Sequence, residues 1–327
     1  MKQHIAPVGR EKTRHEIPVI TILVALIAIT LLAAMTTGSY ATPLEQLISI
    51  CVDLVTGQGV AQENSQALYV LTVIRIPRLL LSLMAGGSLA VSGAAYQGLL
   101  RNPMVSPDIL GVSSGASTGA ILCLLLGASL WVMQGVAFAF GLGAVAIVLL
   151  LGRLIGRGSS KLLVLVLAGV VISSIFSAFT SLIKYIADSN DKLPAIVFWL
   201  MGSFARSSNW NSLLVLAVAM ALGSVPLMLL RHRMNVLSFG EEEAQTMGVD
   251  VRRTRLIIIC CATVLRAATV TLCGNIGWVG LILPHLMRLI VGPDYRYLLP
   301  SCLLAGGLFM LLVDNTVPTP ILCRPVE

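Results

Sequence analysis

Residues 74–119 read IRIPRLLLSLMAGGSLAVSGAAYQGLLRNPMVSPDILGVSSGASTG: two arginines, a long apolar run rich in Gly, Ala and Ser, a polar turn, then a second apolar run. Lipid offers no hydrogen bonds, so a crossing segment must pair its own backbone amides, and 79–100 is most simply a membrane-spanning helix. The turn Arg101-Asn102-Pro103-Met104-Val105-Ser106-Pro107-Asp108 ends it, because each proline disfavours helical geometry in the residue before it. Ile109 then starts the return crossing. Gly86, Gly87, Gly93 and Gly98 leave a smooth groove along the first helix, and such small residues let helix backbones approach closely in lipid. The pair is therefore expected inside a bundle, packed on other helices.

Composition carries this reading to the whole chain. Of its 327 residues 57% are hydrophobic and only 11% charged, and the mean hydropathy is +0.91. A soluble domain would carry roughly a quarter charged residues. The fold class is an all-α polytopic membrane helix bundle, treated as one transmembrane domain over 1–327. The net charge of +7 falls in short loops between apolar runs, a pattern that marks the cytoplasmic side and not a nucleic-acid surface. Cys51, Cys123, Cys260, Cys261, Cys273, Cys302 and Cys323 mostly lie in apolar runs without a CxxC pair. They read as core-filling thiols, with neither a disulfide frame nor a metal site.

Residues 1–16 are polar and basic (Lys2, Arg10, Lys12, Arg14), and the run 17–36 is longer than a signal-peptide core, so it reads as an uncleaved first span with a cytoplasmic N-terminus. The segment 37–74, with Pro43, Glu45, Asp53, Gly57, Gly59 and Glu63, reads as helices and loops at the outer face. Further crossings fit 109–127, 130–152, 162–183, 211–230, 256–273, 277–291 and 298–313, nine in all. Alternate threading places Arg101, Arg153, Arg157, Lys161, Arg231, Arg233, Arg252, Arg253, Arg255, Arg288 and Arg296 inside. Arg75, Arg78, Lys184, Lys192 and Arg206 fall outside, the asymmetry of a cell-membrane protein.

Two pieces interrupt the pattern. Within 188–209 the run 194–204 is too short to span; flanked by Trp199 and Trp210, it reads as an interfacial helix at the outer mouth. The polar loop 231–255, RHRMNVLSFGEEEAQTMGVDVRRTR, spaces Ser238 and Glu241 as a capping box and sets Glu241, Glu242 and Glu243 in the first turn of a helix ending near Gly248. An ordered helix there is a docking element for a soluble partner. Arg101–Asp108 and 288–294 (RLIVGPD) echo each other: an internal duplication or simply good turn chemistry.

The residues at this point resemble a known family. IRIPRLL at 74–80, SGAAYQGLLRNPMVSPDILGVSSGA at 92–116, LAGV at 167–170, FWLMGSF at 198–204, MNVLSFGEEEAQTMGV at 234–249 and GNIGWVGLILPHLMRLIVGPDYRYLLP at 274–300 are similar to the permease subunits of type II ABC importers, which take up ferric siderophores, haem and vitamin B12. The resemblance implies ten helices per subunit, a second permease subunit (a homodimer or a close paralogue), ABC ATPase subunits below and an extracytoplasmic substrate-binding protein above. After Asp314 this chain departs, ending NTVPTPILCRPVE, too short to supply the tenth span.

By the same resemblance Arg75 and Arg78 dock the binding protein, where basic residues at helix ends otherwise simply anchor at the interface. Asn102 and Met104 form the cytoplasmic gate, or only a helix-breaking turn. Phe239, Gly240, Glu241, Glu242, Glu243, Ala244, Gln245, Thr246, Met247 and Gly248 form the helix that couples to the ATPase, against a plain reading as a solvated acidic helix. Pro284 and His285 suggest a kink and a buried polar contact. Arg266, near mid-helix, costs about 2.5 to 3.5 kcal/mol on insertion scales and should pair with a neighbouring helix. The expected function is that of a permease subunit moving an iron chelate inward (a ferric siderophore first; haem, cobalamin or molybdate otherwise), with no cofactor, no enzyme activity and no phosphate-binding GxxxxGK[ST] loop. The alternative is an ion-coupled secondary transporter, for which Asp314 is the sole candidate coupling acid.

Overall fold

A computed structural model describes residues 13–37, 42–56, 64–155 and 161–316. The expectations for 1–12, Gly57, Gly59, Glu63, Arg157 and the tail from 317 onward, Cys323 included, lie outside the described residues. Among those described all regular structure is helical. Helices α1 (Thr13–Thr36) and α2 (Leu44–Thr56) precede α3 (Ser65–Tyr69), a π-helical turn at Val70–Arg75 and α4 (Ile76–Leu99). Then come α5 (Val112–Leu126), α6 (Leu130–Ile155), α7 (Lys161–Ile186), α8 (Lys192–Met201) and α9 (Trp210–Leu229). The chain closes with α10 (Arg231–Phe239), α11 (Glu241–Thr246), α12 (Val251–Cys273), α13 (Val279–Val291) and α14 (Tyr295–Thr316).

Seven of the described helical stretches are long and apolar enough to cross a membrane. Two of the nine expected crossings, α5 and α13, run only 15 and 13 residues, short of the ~20 that a span needs. Each is entered by irregular chain, 101–111 before α5, with one 3₁₀ turn at Pro107–Leu110, and 274–278 before α13. The helix holding Arg75 also begins earlier than expected, at Ser65, so that α3, the π turn and α4 form one 35-residue rod.

α4 is the axis of the bundle. Leu89, Ala90, Val91, Ala94, Ala95 and Tyr96 on it have no solvent exposure, and α9, α12, α13 and α14 pack around it. Its glycines make this possible: a Cβ built on Gly86 would lie 2.1 Å from the Gly306 carbonyl oxygen of α14, and one on Gly93 1.7 Å from that of Gly280 on α13. Close backbone contact of this kind replaces the hydrophobic drive that lipid cannot supply.

Several expectations are corrected. Trp199 is 1% exposed and packs with Ile183, Ile196 and Val270 in a second core cluster, because α8 folds inward against α5; only Trp210, 53% exposed, sits on the surface. His285 lies on the exposed face of α13, not in a buried contact, while Pro284 is buried. Cys123, Cys260, Cys261, Cys273 and Cys302 are free, with Cys260 exposed and the other four buried.

Candidate functional site

One end of the bundle collects Arg101, Arg153, the α10–α11 loop, Arg288 and the start of α12; we call it the basic end. There α9 passes almost directly into α10, and Gly240, at φ +150°, breaks α10 from α11. Ser238 is still within α10, its hydroxyl donating to the Asn235 carbonyl at 2.6 Å. The expected capping box therefore does not form, and Gly240 stands at the cap position without a side chain. Glu241, Glu242 and Glu243 do occupy the first turn of α11, where the helix dipole favours negative charge. Gly248 at φ +79° closes the helix, with the Val249 amide donating to the Ala244 carbonyl at 2.9 Å.

The anchoring of α11 is specific. Ala244 is buried, and Glu241 is ion-paired to Arg255 of α12. Phe239 and Met247 stand 71% and 63% exposed, beside exposed Glu242, Glu243, Gln245, Thr246 and Gly248. Two large apolar side chains flank an acidic helix, held rigidly but left uncovered. α10 is tied to the bundle in turn: Asn235 Nδ2 donates to Asp294 Oδ1 at 2.7 Å, and the Tyr295 amide donates to Asn235 Oδ1 at 2.9 Å.

The Asn102 turn lies at the same end. Arg101 takes a left-handed φ of +49°, and Asn102 Oδ1 accepts the Met104 amide at 2.9 Å, a local Asx closure. Met104 is 70% exposed. Behind it Gln97 of α4 donates to the Leu281 carbonyl at 3.0 Å and accepts from Arg288 Nη1 at 3.1 Å.

The chain does not stay at that surface. A Cβ on Gly280 would meet the Pro107 ring and the Leu89 carbonyl at 2.7 and 2.8 Å. Pro107 is therefore level with Leu89, ten residues and about 15 Å back along α4 from its end. The segment expected as a surface turn re-enters the bundle. At its tip Asp108 receives Arg266: Nε donates to Oδ1 at 2.9 Å and Nη2 to Oδ2 at 2.8 Å. Arg266 also donates to the Ser113 hydroxyl at 2.9 Å and to the Ile276 carbonyl at 2.8 Å. Its side chain is 1% exposed. One guanidinium thus ties together both irregular segments, 101–111 and 274–278, and irregular backbone at membrane depth is tolerated only where protein satisfies it.

At the opposite end Arg78 forms a two-pronged pair with Asp314, Nη2 to Oδ1 at 2.7 Å and Nε to Oδ2 at 2.9 Å. Arg75, emerging from the π turn, donates to the Met35 carbonyl at 2.5 Å and to the Thr42 hydroxyl at 2.7 Å. Both arginines are thus at the rim yet engaged within the chain.

A family model for the FecCD transport family matches residues 25–321. The chain belongs to this family. Relatives of this FecCD chain include the molybdate import system permease protein of Haemophilus influenzae, 41% identical over 90% of this chain and 85% of that one. The hemin transport system permease protein of Yersinia pestis is 38% identical over 78% and 76%. A solved ABC transporter assigned to the metal-chelate type, in an inward-facing conformation, aligns with a TM-score of 0.80 at 39% identity, over 91% of this chain and 89% of that one. FecCD proteins are transport subunits, so the chain is a permease and not an enzyme.

The FecCD chain's Asp108 was missed as a partner for Arg266 because 158 residues separate the two. The available signal was arithmetic: Arg266 is a lone mid-helix cation, and Asp108 is an acid bordering an apolar run.

Proposed function

We propose that this FecCD chain is the membrane-embedded subunit of an ABC importer for a metal-bearing solute, an iron chelate first, driven by ATP hydrolysis on separate subunits. The observation that carries this reading is α11: an acidic helix ion-paired to α12, with Phe239 and Met247 left exposed, is a surface prepared for a soluble motor. The basic end is then cytoplasmic, as the excess of arginine there favours, and the N-terminus lies on the same side. Asn102 and Met104 form the inner gate. Arg75 and Arg78 meet the substrate-binding protein at the other face, and a second permease subunit completes the path.

Solute identity is the finer part of the proposal. The relatives named above are a molybdate and a hemin permease; their shared chemistry is a metal centre carried in an anionic or chelated form. Ion coupling finds little support, since Asp108 and Asp314, the acids placed within the bundle among the described residues, are each paired to an arginine. The test is uptake into vesicles holding the chain with its cognate ATPase and binding protein, comparing radiolabelled ferric siderophore, hemin and molybdate. ATP-dependent uptake of one of them, lost in Phe239→Ala/Met247→Ala, is expected. Undiminished uptake with the ATPase omitted would refute the reading.

A further inference from the structure

A cleft of about 700 Å³ opens at the basic end between α6, α7, α11 and α12. We infer that it binds the phosphate of an anionic phospholipid, with the first part of the acyl chain lying along its apolar wall. The inference goes beyond the import reading and does not depend on the solute or on the energy source.

Charge is the first argument. Arg153, Arg252, Arg253 and Arg255 line the cleft against two carboxylates, Glu241 and Asp250. Neither acid is uncommitted: Glu241 holds Arg255, and Asp250 Oδ1 caps α12 by accepting the Arg253 amide at 3.0 Å. Two positive charges are left over. Arg252 and Arg253 also stand in the first turn of α12, the end where the helix dipole repels cations and attracts anions. Arg255 Nε is buried with no hydrogen-bond partner among the described residues. An anion in the cleft answers all three.

The cleft's walls decide which anion. Leu149 and Leu162 line it together with the buried Leu165 and Ile259, all on helices long and apolar enough to cross the membrane. On the same helices Leu150, Leu154 and Leu163, next in the chain to the lining residues Leu149, Arg153 and Leu162, are 55%, 69% and 60% exposed, an uncovered apolar surface beside the cleft. A soluble anion has no use for that wall; a phospholipid uses both. Basic pockets between spans on the cytoplasmic side bind lipid headgroups for this reason. A docked protein is less favoured as the occupant. Glu241 and Gln245, one turn apart, line the cleft, while the uncovered knobs that flank α11, Phe239 and Met247, are absent from its lining.

The test uses the full chain in mixed phosphatidylcholine and phosphatidylglycerol vesicles, extracted gently, with retained lipid counted by native mass spectrometry. Wild type is expected to retain phosphatidylglycerol over phosphatidylcholine. Arg252→Gln/Arg253→Gln is expected to weaken retention about thirtyfold, roughly fivefold for each charge at the membrane surface. Arg252→Lys/Arg253→Lys keeps the charge and most of the retention. Both side chains are exposed, so the fold does not depend on them; Arg153→Gln is a second variant with the same expected direction. Equal retention by wild type and the Gln variants would overturn the inference. So would displacement of the lipid by millimolar inorganic phosphate, which would assign the cleft to a free anion. Loss of the lipid on binding of the ATPase, with Arg252 crosslinked to it, would assign the arginines to a protein interface instead.

Discussion

Replacing Asp108 with alanine removes two of the four acceptors that surround the Arg266 guanidinium, leaving the Ser113 hydroxyl and the Ile276 carbonyl. Arg266 stays charged at 1% exposure, so the change strands a buried cation. Breaking a buried pair in this way costs about 3–5 kcal/mol. The Asp108 side chain is itself 36% exposed, so water can enter its place and partly rehydrate the cation, which puts the expected loss near ~3 kcal/mol, the low end of that range. That is a large share of a typical folding free energy of about 5–15 kcal/mol. Asp108→Asn, which keeps one acceptor but no charge, should lose about half as much. Removing both partners together, in Arg266→Met/Asp108→Leu, should recover most of the loss, because no buried charge remains to be solvated. The assay is reversible denaturation of the full chain in mixed detergent micelles, read by tryptophan fluorescence, with wild type, Asp108→Leu, Arg266→Met and Arg266→Met/Asp108→Leu arranged as a double-mutant cycle. An Asp108→Ala protein within ~1 kcal/mol of wild type, or a double variant no more stable than Asp108→Ala, would refute the reasoning that the pair clamps the two re-entrant segments.

Other outcomes follow from packing. Gly93→Ala places a methyl group 1.7 Å from the Gly280 carbonyl oxygen; because the obstacle is backbone, α4 and α13 must separate, costing at least the ~1–3 kcal/mol of an overpacked core and lowering the yield of folded protein in detergent. Trp199→Ala should cost about 3–5 kcal/mol, whereas Trp210→Ala should stay within about 0.5 kcal/mol; equal effects in thermal scans would contradict the inward placement of α8. Arg78→Ala leaves Asp314, 8% exposed, without its pair and should lower the unfolding midpoint, while Arg78→Ala/Asp314→Ala restores part of it. Phe239→Ala/Met247→Ala should leave stability within about 0.5 kcal/mol, since both side chains are solvated, so that any loss of uptake in that variant reports on docking.

Much of this protein is written locally. The seven long crossings, the inner position of α4 and the acidic first turn of α11 each follow from residues adjacent in the chain: apolar runs of bilayer length, glycines on one helix, three glutamates after a break. The family too is legible in short motifs such as RNPMVSPDILG and FGEEEAQTMGV. What the sequence alone left undetermined depends on partners distant in the chain. The re-entry of 101–111 and the shortness of α5 and α13 go with the buried charge of Arg266, which Asp108, the Ser113 hydroxyl and the Ile276 carbonyl, brought in from separate segments, satisfy together. The same logic moved Trp199 from an expected interface into the core and committed Arg78 to Asp314. In lipid, local hydropathy decides whether a segment crosses, because the solvent is uniform along it. Where a polar group goes is decided by the other polar groups that the folded bundle brings within hydrogen-bonding distance.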